Sequence, residues 1–109
     1  MLTHIVSFSF LPGRSWSDPE VLRAERITEE HWRHIPEILS WKVGRNSTPR
    51  AAARDFALIG EFADRVALER YLIHPDHQRG AEAWAELSTW VTVDLDGAAD
   101  LVLDNRKDA

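Results

Sequence analysis

Alternating apolar and polar residues over positions 2–10 constrain the fold more than any other segment of the chain. Successive side chains of a strand point to opposite faces of a sheet, so the alternation predicts a strand. Its two predicted faces are Leu2, His4, Val6, Phe8 and Phe10 on one side and Thr3, Ile5, Ser7 and Ser9 on the other. The first face is apolar apart from His4 and requires a covering layer. The 109 residues include no cysteine, so packing without disulfides must hold that layer.

Helical and strand patterns then follow one another in an order that indicates an α+β domain. The segment 17–20 offers a cap residue and a proline at the first helical position. The helix after it is predicted to bury one face and to end at Pro36; that face consists of Val21, Ala24, Ile27, Thr28, His31, Trp32 and Ile35. Strands are predicted at 38–45 and 56–62. A helix capped by Asp64 follows; Pro75 interrupts it, and a further helical stretch continues to about Leu87. The last strand is predicted at 90–95.

The order β-α-β-β-α-β predicts a ferredoxin-like fold, with one antiparallel sheet and helices on one of its faces. The strand at 56–62 is apolar on both sides, with Phe56, Leu58 and Phe62 on one face and Ala57 and Ile59 on the other. An exposed apolar sheet face is a liability in a monomer, so we expect a homodimer in which a second copy covers it. Residues 1–96 are predicted to form one domain and 97–109 a C-terminal tail, whose run 101–103 has the alternative of adding a strand to a neighbour.

Composition and charge exclude several classes of function. The net charge of −5 and the scattering of the 13 basic residues argue against a nucleic-acid partner. No apolar run is long enough to cross a bilayer, and the N-terminus lacks the basic region of a signal peptide, so we expect no membrane partner and a cytoplasmic location. No glycine-rich loop of the required spacing is present, and the sequence predicts no flavin, haem, nucleotide or other cofactor.

The segment 71–77 holds the residues that best fit catalysis. Pro75 must end one helix and begin another, which makes His74 extended and places His77 in a first helical turn. The positive end of that helix disfavours protonation of His77, whereas the neighbouring Asp76 favours it. Tyr71 and His77 are then expected to face one cavity, where the phenol binds a carbonyl oxygen and the imidazole removes a nearby proton. The alternative is that His74 and His77 are cap and surface residues.

Two further histidines, His4 and His31, are predicted to lie under cover. A buried imidazole needs a hydrogen-bond partner, and the open alternatives are a core histidine or a polar group in a pocket between sheet and helix. A His-x-x-His pair such as that in segment 74–77 binds zinc only with a further protein ligand, and none is suitably spaced, so no metal site is expected. The five tryptophans, at 16, 32, 41, 84 and 90, bring apolar area that suits either a core or a pocket wall.

Three parts of the sequence together resemble the Dabb, or stress-responsive A/B barrel, family over residues 2–96. They are the opening strand, the stretch 34–46 with its Val-Gly-Arg-Asn ending, and the segment from Glu61 to a tyrosine followed by His-Pro-Asp-His. The resemblance implies a dimeric ferredoxin-like α+β barrel. One branch of the family is similar to olivetolic acid cyclase, a cofactor-free polyketide cyclase, and this implies catalytic roles for Tyr71 and His77 and places His4 and His74 in the pocket region. The chain departs from that branch where Ala24 and Thr28 stand in place of bulky aromatic residues.

The leading hypothesis is therefore a cofactor-independent enzyme that closes a ring in a small poly-β-ketone or related apolar carbonyl compound by aldol-type chemistry. His77 and Tyr71 are the predicted catalytic residues; the predicted substrate-binding residues are His4, His74, His31, Trp84 and Thr28. One alternative is a non-catalytic stress-responsive or ligand-binding dimer. A second alternative, suggested by the shared fold, is a cofactor-free monooxygenase acting on an aromatic polyketide.

Overall fold

The computed structural model describes residues 1–97, and these form four strands and three helices. In chain order the elements are β1 (Leu2–Phe10), α1 (Pro19–His34), β2 (Ser40–Arg45), β3 (Phe56–Phe62), α2 (Arg65–Leu72), α3 (Pro75–Ala85) and β4 (Ser88–Asp96). All three strand pairings are antiparallel and give the sheet order β2-β3-β1-β4. The predicted ferredoxin-like α+β fold is confirmed. Within residues 1–97 no helix combines the length and the hydropathy that a membrane span requires.

The core lies between the helices and one face of the sheet. Val6 and Phe8 of β1 pack with Val21 and Ala24 of α1 and with Trp84 of α3 in the larger of two buried clusters. The smaller cluster joins the end of α1 to β3 and α2 and contains Ile35, Phe62, Leu68 and Tyr71. The strand face that carries His4 is therefore the covered face, as its alternation predicts.

The helix α1 buries a narrower arc than its sequence pattern predicts. Its buried residues are Val21, Ala24, Ile27, Thr28 and His31. Trp32 was predicted to join them, but it is 53% exposed, and the Arg33 guanidinium lies 5.1 Å from its ring centroid. At about 100° per residue Trp32 falls just outside the buried arc, so the prediction of its burial is wrong.

Two predicted element boundaries are shifted because turns replace the expected regular structure. Ile38 donates its N–H to the carbonyl of Ile35 in the turn after α1, and β2 begins at Ser40 rather than at residue 38. Leu87 likewise donates to the carbonyl of Trp84, so α3 ends at Ala85 and β4 begins at Ser88, two residues before its predicted start. Of the tail predicted over 97–109, positions 98–109 lie outside the described residues, and they include the run 101–103.

The opposite face of the sheet is apolar and uncovered in the single chain. We call it the outer face; its large apolar side chains are Ile5, Ile59, Val91, Val93 and Leu95. Ile59 is 38% exposed and Val93 48% exposed. The second apolar side of β3 is therefore open in one chain, and this exposure is what the expected covering partner would remove.

Candidate active site

A cavity of about 130 Å³ lies between the sheet and the helices at the end of α2. Its walls combine four titratable or hydroxyl-bearing rings with large apolar side chains. The lining residues are His4, Val6, Phe8, Thr28, His31, Leu58, Tyr71, Leu72, His77, Gly80, Ala81, Trp84, Trp90 and Thr92. Trp90 and Thr92 belong to the edge strand β4 and are directly opposite Phe8 and Val6 in the register, so they face the helices. Both are exposed, which shows that the cavity reaches the surface along β4.

Pro75 positions the central pair of the cavity. The helix α2 ends at Leu72, His74 is extended with φ −65° and ψ 137°, and α3 begins at Pro75. Because the chain changes direction there, the rings of Tyr71 and His77 meet, with their centroids 4.5 Å apart and their planes at 54°. The sequence prediction that these two side chains face one cavity agrees with this placement.

The hydrogen bond of His77 determines which of its nitrogens is free. Nδ1 lies 2.9 Å from the carbonyl oxygen of Leu72, and a carbonyl oxygen only accepts, so Nδ1 carries the proton. In the neutral ring Nε2 then has a free lone pair. Burial is the largest influence on the pKa of His77 and lowers it; the Leu72 carbonyl and Asp76 raise it, and His31 and His4 lower it. The sequence left the helix terminus and Asp76 in opposition; in the structure the pKa of His77 is lowered, and its main cause is desolvation.

Tyr71 is buried and keeps its proton. Only 1% of the residue is exposed, and burial raises the pKa of its phenol well above the usual value of 10. Its hydroxyl makes no hydrogen bond to another atom of residues 1–97. Within these residues every fully buried side-chain nitrogen or oxygen has a hydrogen-bond partner, so the hydroxyl oxygen of Tyr71 is not fully buried. The hydroxyl is therefore a donor that is reached from the cavity.

Two more imidazoles in the cavity wall are held by carboxylates. Nδ1 of His31 lies 2.7 Å from Oδ2 of Asp76, and Nδ1 of His4 lies 2.5 Å from Oδ1 of Asp94. Each Nδ1 donates to its carboxylate, which leaves Nε2 as the free nitrogen, as in His77. Both histidines were predicted to need hydrogen-bond partners, and each has one. Both also line the cavity, so each is at once a hydrogen-bonded buried histidine and a polar group in the pocket.

Thr28 and Trp84 form a hydrogen-bonded part of the wall. The indole Nε1 of Trp84 donates to Oγ1 of Thr28 at 2.8 Å, and the Thr28 hydroxyl donates to the carbonyl of Ala24 at 2.9 Å. Trp84 also stacks on Phe56, with centroids 5.4 Å apart. These contacts fix the rings rigidly, and they place two predicted substrate-binding residues in the lining.

His74 does not line the cavity. Its Nδ1 instead accepts the backbone N–H of Asp76 at 3.1 Å and caps α3, which is the cap alternative. Its predicted place in the pocket region is therefore corrected. Four residues of the site were not among the predicted site residues: Trp90, Thr92 and Gly80 in the lining and Asp94 behind it. The strand register would have indicated Asp94, because it is directly opposite His4.

The cavity thus presents three imidazole rings with Nε2 free of protein partners and one phenol donor to a space with aromatic walls. Such a set can hold a carbonyl oxygen by the phenol while a nitrogen removes a proton from the adjacent carbon. Among residues 1–97, no cluster of three or more histidine or acidic side chains is arranged to hold a metal ion. The arrangement supports acid–base chemistry on a small, largely apolar molecule.

The fold and this cavity define a ferredoxin-like α+β protein with a histidine- and tyrosine-lined pocket. The model of the stress responsive A/B barrel domain, Dabb, matches residues 2–96, and the chain belongs to that family. It is 34% identical over 96 residues to SCO4036, an uncharacterized protein of Streptomyces coelicolor; the match covers 88% of this chain and 99% of that protein.

Solved structures share the fold. A dimeric ferredoxin-like protein of unknown function from Thermobifida fusca superposes with a TM-score of 0.76 at 21% identity, over 86% of this chain and 88% of that chain. The hydroxynitrile lyase of Passiflora edulis gives 0.72 at 17% identity, over 86% and 90%. SnoaB, a cofactor-independent oxygenase from Streptomyces nogalater, gives 0.70 at 20% identity, over 94% and 95%. At these identities the likeness establishes the fold alone, and it shows that this fold accommodates enzymes.

Proposed function

We propose that the protein is a cofactor-independent acid–base enzyme that acts next to the carbonyl group of a small, largely apolar compound. One observation carries the proposal: the ring of His77, whose Nε2 is free, and the ring of Tyr71, whose hydroxyl keeps its proton, have their centroids 4.5 Å apart in one aromatic cavity. The first is a base and the second a hydrogen-bond donor. Proton removal from a carbon beside a carbonyl requires this pair of functions at short separation.

The proposed chemistry follows from the hydrogen-bonding states of Tyr71, a donor, and of Nε2 of His77, an acceptor. Tyr71 donates to the carbonyl oxygen and stabilises the negative charge that develops there. His77 takes the proton from the adjacent carbon at Nε2, while Nδ1 keeps its hydrogen bond to the Leu72 carbonyl. A positioned acid–base group contributes about 10²–10⁴-fold. The remaining acceleration comes from the walls that hold the substrate in a reactive conformation.

The finer proposal is aldol-type ring closure of a small poly-β-ketone, as in the olivetolic acid cyclase-like branch of the family. Tyr71 and His77 match the catalytic pair of that branch, and His4, His31, Thr28 and Trp84 are the proposed substrate-binding residues. The cavity of about 130 Å³ is close to the size of an engineered cavity of about 150 Å³ that binds benzene. It therefore fits the one ring that closes, with any longer substituent extending out along β4.

Exchange of the α-protons of cyclohexanone for deuterium, followed by proton NMR in heavy water, tests the coarser proposal. We expect the wild type to accelerate exchange, His77→Gln to lose about 10²–10⁴-fold of that acceleration, and Tyr71→Phe to lose a large part of it. His34→Gln is the matched control, because His34 is an exposed histidine outside the cavity. Exchange that is as fast in a folded His77→Gln variant as in the wild type would contradict the proposal.

The finer proposal needs a substrate that cyclises. The rate of ring-closed product formation from a short synthetic poly-β-ketone is expected to fall in both variants, His77→Gln and Tyr71→Phe, and their order is expected to match that found for exchange. Binding of the ketone without exchange or product would instead assign the cavity to a ligand-binding dimer. Oxygen uptake with a phenolic substrate, in place of cyclisation, would assign it to the oxygenase class.

The homodimer is also a proposal, supported by the uncovered outer face and by the dimeric fold relatives. Val93 lies in the centre of the β4 part of that face and is 48% exposed. A carboxylate there has to be desolvated when a second copy binds, so Val93→Asp is expected to shift the protein toward monomer in sedimentation velocity. Val66→Asp is the control, since Val66 is 53% exposed on α2. Equal sedimentation of both variants and the wild type would contradict an interface at the outer face.

A further inference from the structure

His31 is a second imidazole beside His77, with ring centroids 6.1 Å apart, and the proposed function gives it no part in proton transfer. We propose that His31, oriented by Asp76, is a second proton-transfer residue of the cavity, which exchanges a proton with the substrate hydroxyl oxygen while His77 exchanges one with carbon. The pair then serves the formation and cleavage of a carbon–carbon bond between a carbonyl compound and a second carbonyl group. This inference rests on the proposed function and extends it to a particular residue.

The partner of each ring distinguishes the two histidines. His77 donates to an uncharged backbone carbonyl at 2.9 Å, whereas His31 donates to a carboxylate at 2.7 Å. A carboxylate fixes the ring with Nδ1 protonated and stabilises the imidazolium that forms when Nε2 takes a proton.

The carboxylate of Asp76 is itself held in place. It lies in the first turn of α3, where the helix end stabilises negative charge. Arg79 approaches its other oxygen at 3.8 Å, and His74 caps its backbone N–H. Only 11% of the Asp76 side chain is exposed, so water screens its interaction with His31 weakly. Asp76 is therefore a positioning residue for His31.

Gly80 allows His31 to reach the cavity. A Cβ at position 80 would lie 2.6 Å from Nε2 of His31 and 2.8 Å from its Cε1, so only glycine leaves room for the ring. The His31 ring centroid is 6.1 Å from that of His77 and 6.4 Å from that of Tyr71. One small substrate can therefore contact all three side chains.

The proton and electron balance closes within the two histidines. In bond formation, Nε2 of His77 removes the proton from the α-carbon, and the electron pair of that C–H bond forms the new C–C bond. The π electrons of the attacked carbonyl move to its oxygen, which takes a proton from Nε2 of His31. Cleavage is the reverse: His31 takes the hydroxyl proton, the C–C bond breaks, and His77 returns a proton to carbon. Before bond formation His31 carries the extra proton at Nε2, and after it His77 carries that proton; exchange with solvent returns the pair to its starting state.

Charged neighbours determine when the pair holds a single proton. His31 faces Asp76 and Arg79 of α3, His34 of α1 and the uncharged Tyr71 of α2; His77 faces His31, His4 and Asp76. Burial is the largest influence on the pKa of His31 and lowers it, whereas Asp76 raises it and Arg79 and His34 lower it. The pKa values of both rings thus lie below 6.5. Cleavage needs one proton on the pair, so it should decline as the pH rises through these lowered pKa values, whereas exchange needs only neutral His77 and should rise to a plateau.

The test compares two reactions of the full chain. Cleavage of 4-hydroxy-4-methylpentan-2-one to acetone requires proton transfer at oxygen and at carbon, whereas deuterium exchange of cyclohexanone requires transfer at carbon only. We expect Asp76→Asn and His31→Gln to lower cleavage about 100-fold or more and exchange less than about 10-fold. Glu82→Gln, an exposed change on the same helix, is the control for Asp76→Asn and should leave both rates unchanged.

Nitrogen-15 NMR of the histidine rings keeps the test decisive if one variant folds poorly. The wild type should show His31 protonated at Nδ1, and Asp76→Asn should lose this tautomer. Equal losses of cleavage and exchange in both variants, or His77-dependent exchange by a wild type that does not cleave the hydroxyketone, would overturn the role of His31. Absence of exchange in the wild type would instead overturn the proposed function of His77.

Discussion

The substitution Gly80→Ala is expected to destabilise the protein, against the usual preference of helices for alanine. Gly80 lies inside α3, where replacing glycine by alanine ordinarily gains about 0.5–1 kcal/mol. Here the new methyl group would lie 2.6 Å from Nε2 of His31. The ring cannot keep its position at that distance and must move, which disturbs its hydrogen bond to Asp76.

The magnitude follows from two costs and one opposing gain. Forcing an extra carbon into a packed site costs about 1–3 kcal/mol. Weakening the 2.7 Å hydrogen bond from His31 to the Asp76 carboxylate costs up to about 1.5–3 kcal/mol more, because its acceptor is charged. After the helix gain is subtracted, we expect a net loss of about 1.5–5.5 kcal/mol in the free energy of unfolding, the upper end applying if the hydrogen bond is lost entirely.

A double-mutant cycle isolates the cause of this loss. In the His31→Ala background the methyl group has open space, since its other near contact, Cγ2 of Ile27, is at an ordinary 3.5 Å. There Gly80→Ala should become stabilising by about 0.5–1 kcal/mol. Urea unfolding followed by circular dichroism gives all four stabilities. If Gly80→Ala changes stability equally in both backgrounds, the close approach of His31 to α3 is refuted.

Three further predictions concern stability. The pKa values of His31 and His77 are lowered in the folded state, so the unfolded chain takes up protons first as the pH falls below about 6.5. The urea midpoint should therefore decline below that pH, and it should decline less in His31→Gln. Equal slopes of the midpoint against pH in the two proteins would contradict this. Trp84→Phe removes the buried hydrogen bond to Thr28 and should cost about 1–3 kcal/mol, whereas Trp90→Phe, at a site 39% exposed, should cost less in the same urea assay; equal costs would count against it. Pro75→Ala should lose about 0.4–1 kcal/mol in that assay, because Pro75 restricts the unfolded chain at a compatible first helical position, and a gain in stability would oppose that reasoning.

The sequence predicted the fold well because its strongest signals are local. Alternation over residues 2–10 and the breaking of the helix at Pro75 depend only on neighbouring residues, and both agree with the structure. The failures come from tertiary context. Trp32 lies at the edge of the helix face, where a small rotation decides burial, and the turn at Leu87 ends α3 early because β4 begins at Ser88.

The site was predicted in part for the same reason. Tyr71 and His77 are close in sequence and joined by the proline break, so their meeting follows from local geometry. The partners of His4 and His31 are distant in sequence: Asp94 is opposite His4 only through the β1–β4 register, and Asp76 reaches His31 only because α1 packs on α3. In the sequence Asp76 was assigned to the adjacent His77, whereas its carboxylate hydrogen-bonds His31.

The most direct test of the account is the pH dependence of cyclohexanone α-proton exchange, measured beside the NMR titration of the His77 ring. We predict that the enzyme-dependent rate rises with pH through a single ionisation below 6.5, with the same midpoint as the His77 titration, and that His77→Gln abolishes this rise. A rate whose midpoint differs from that of His77, or a rise that persists in His77→Gln, would contradict the assignment of His77 as the base.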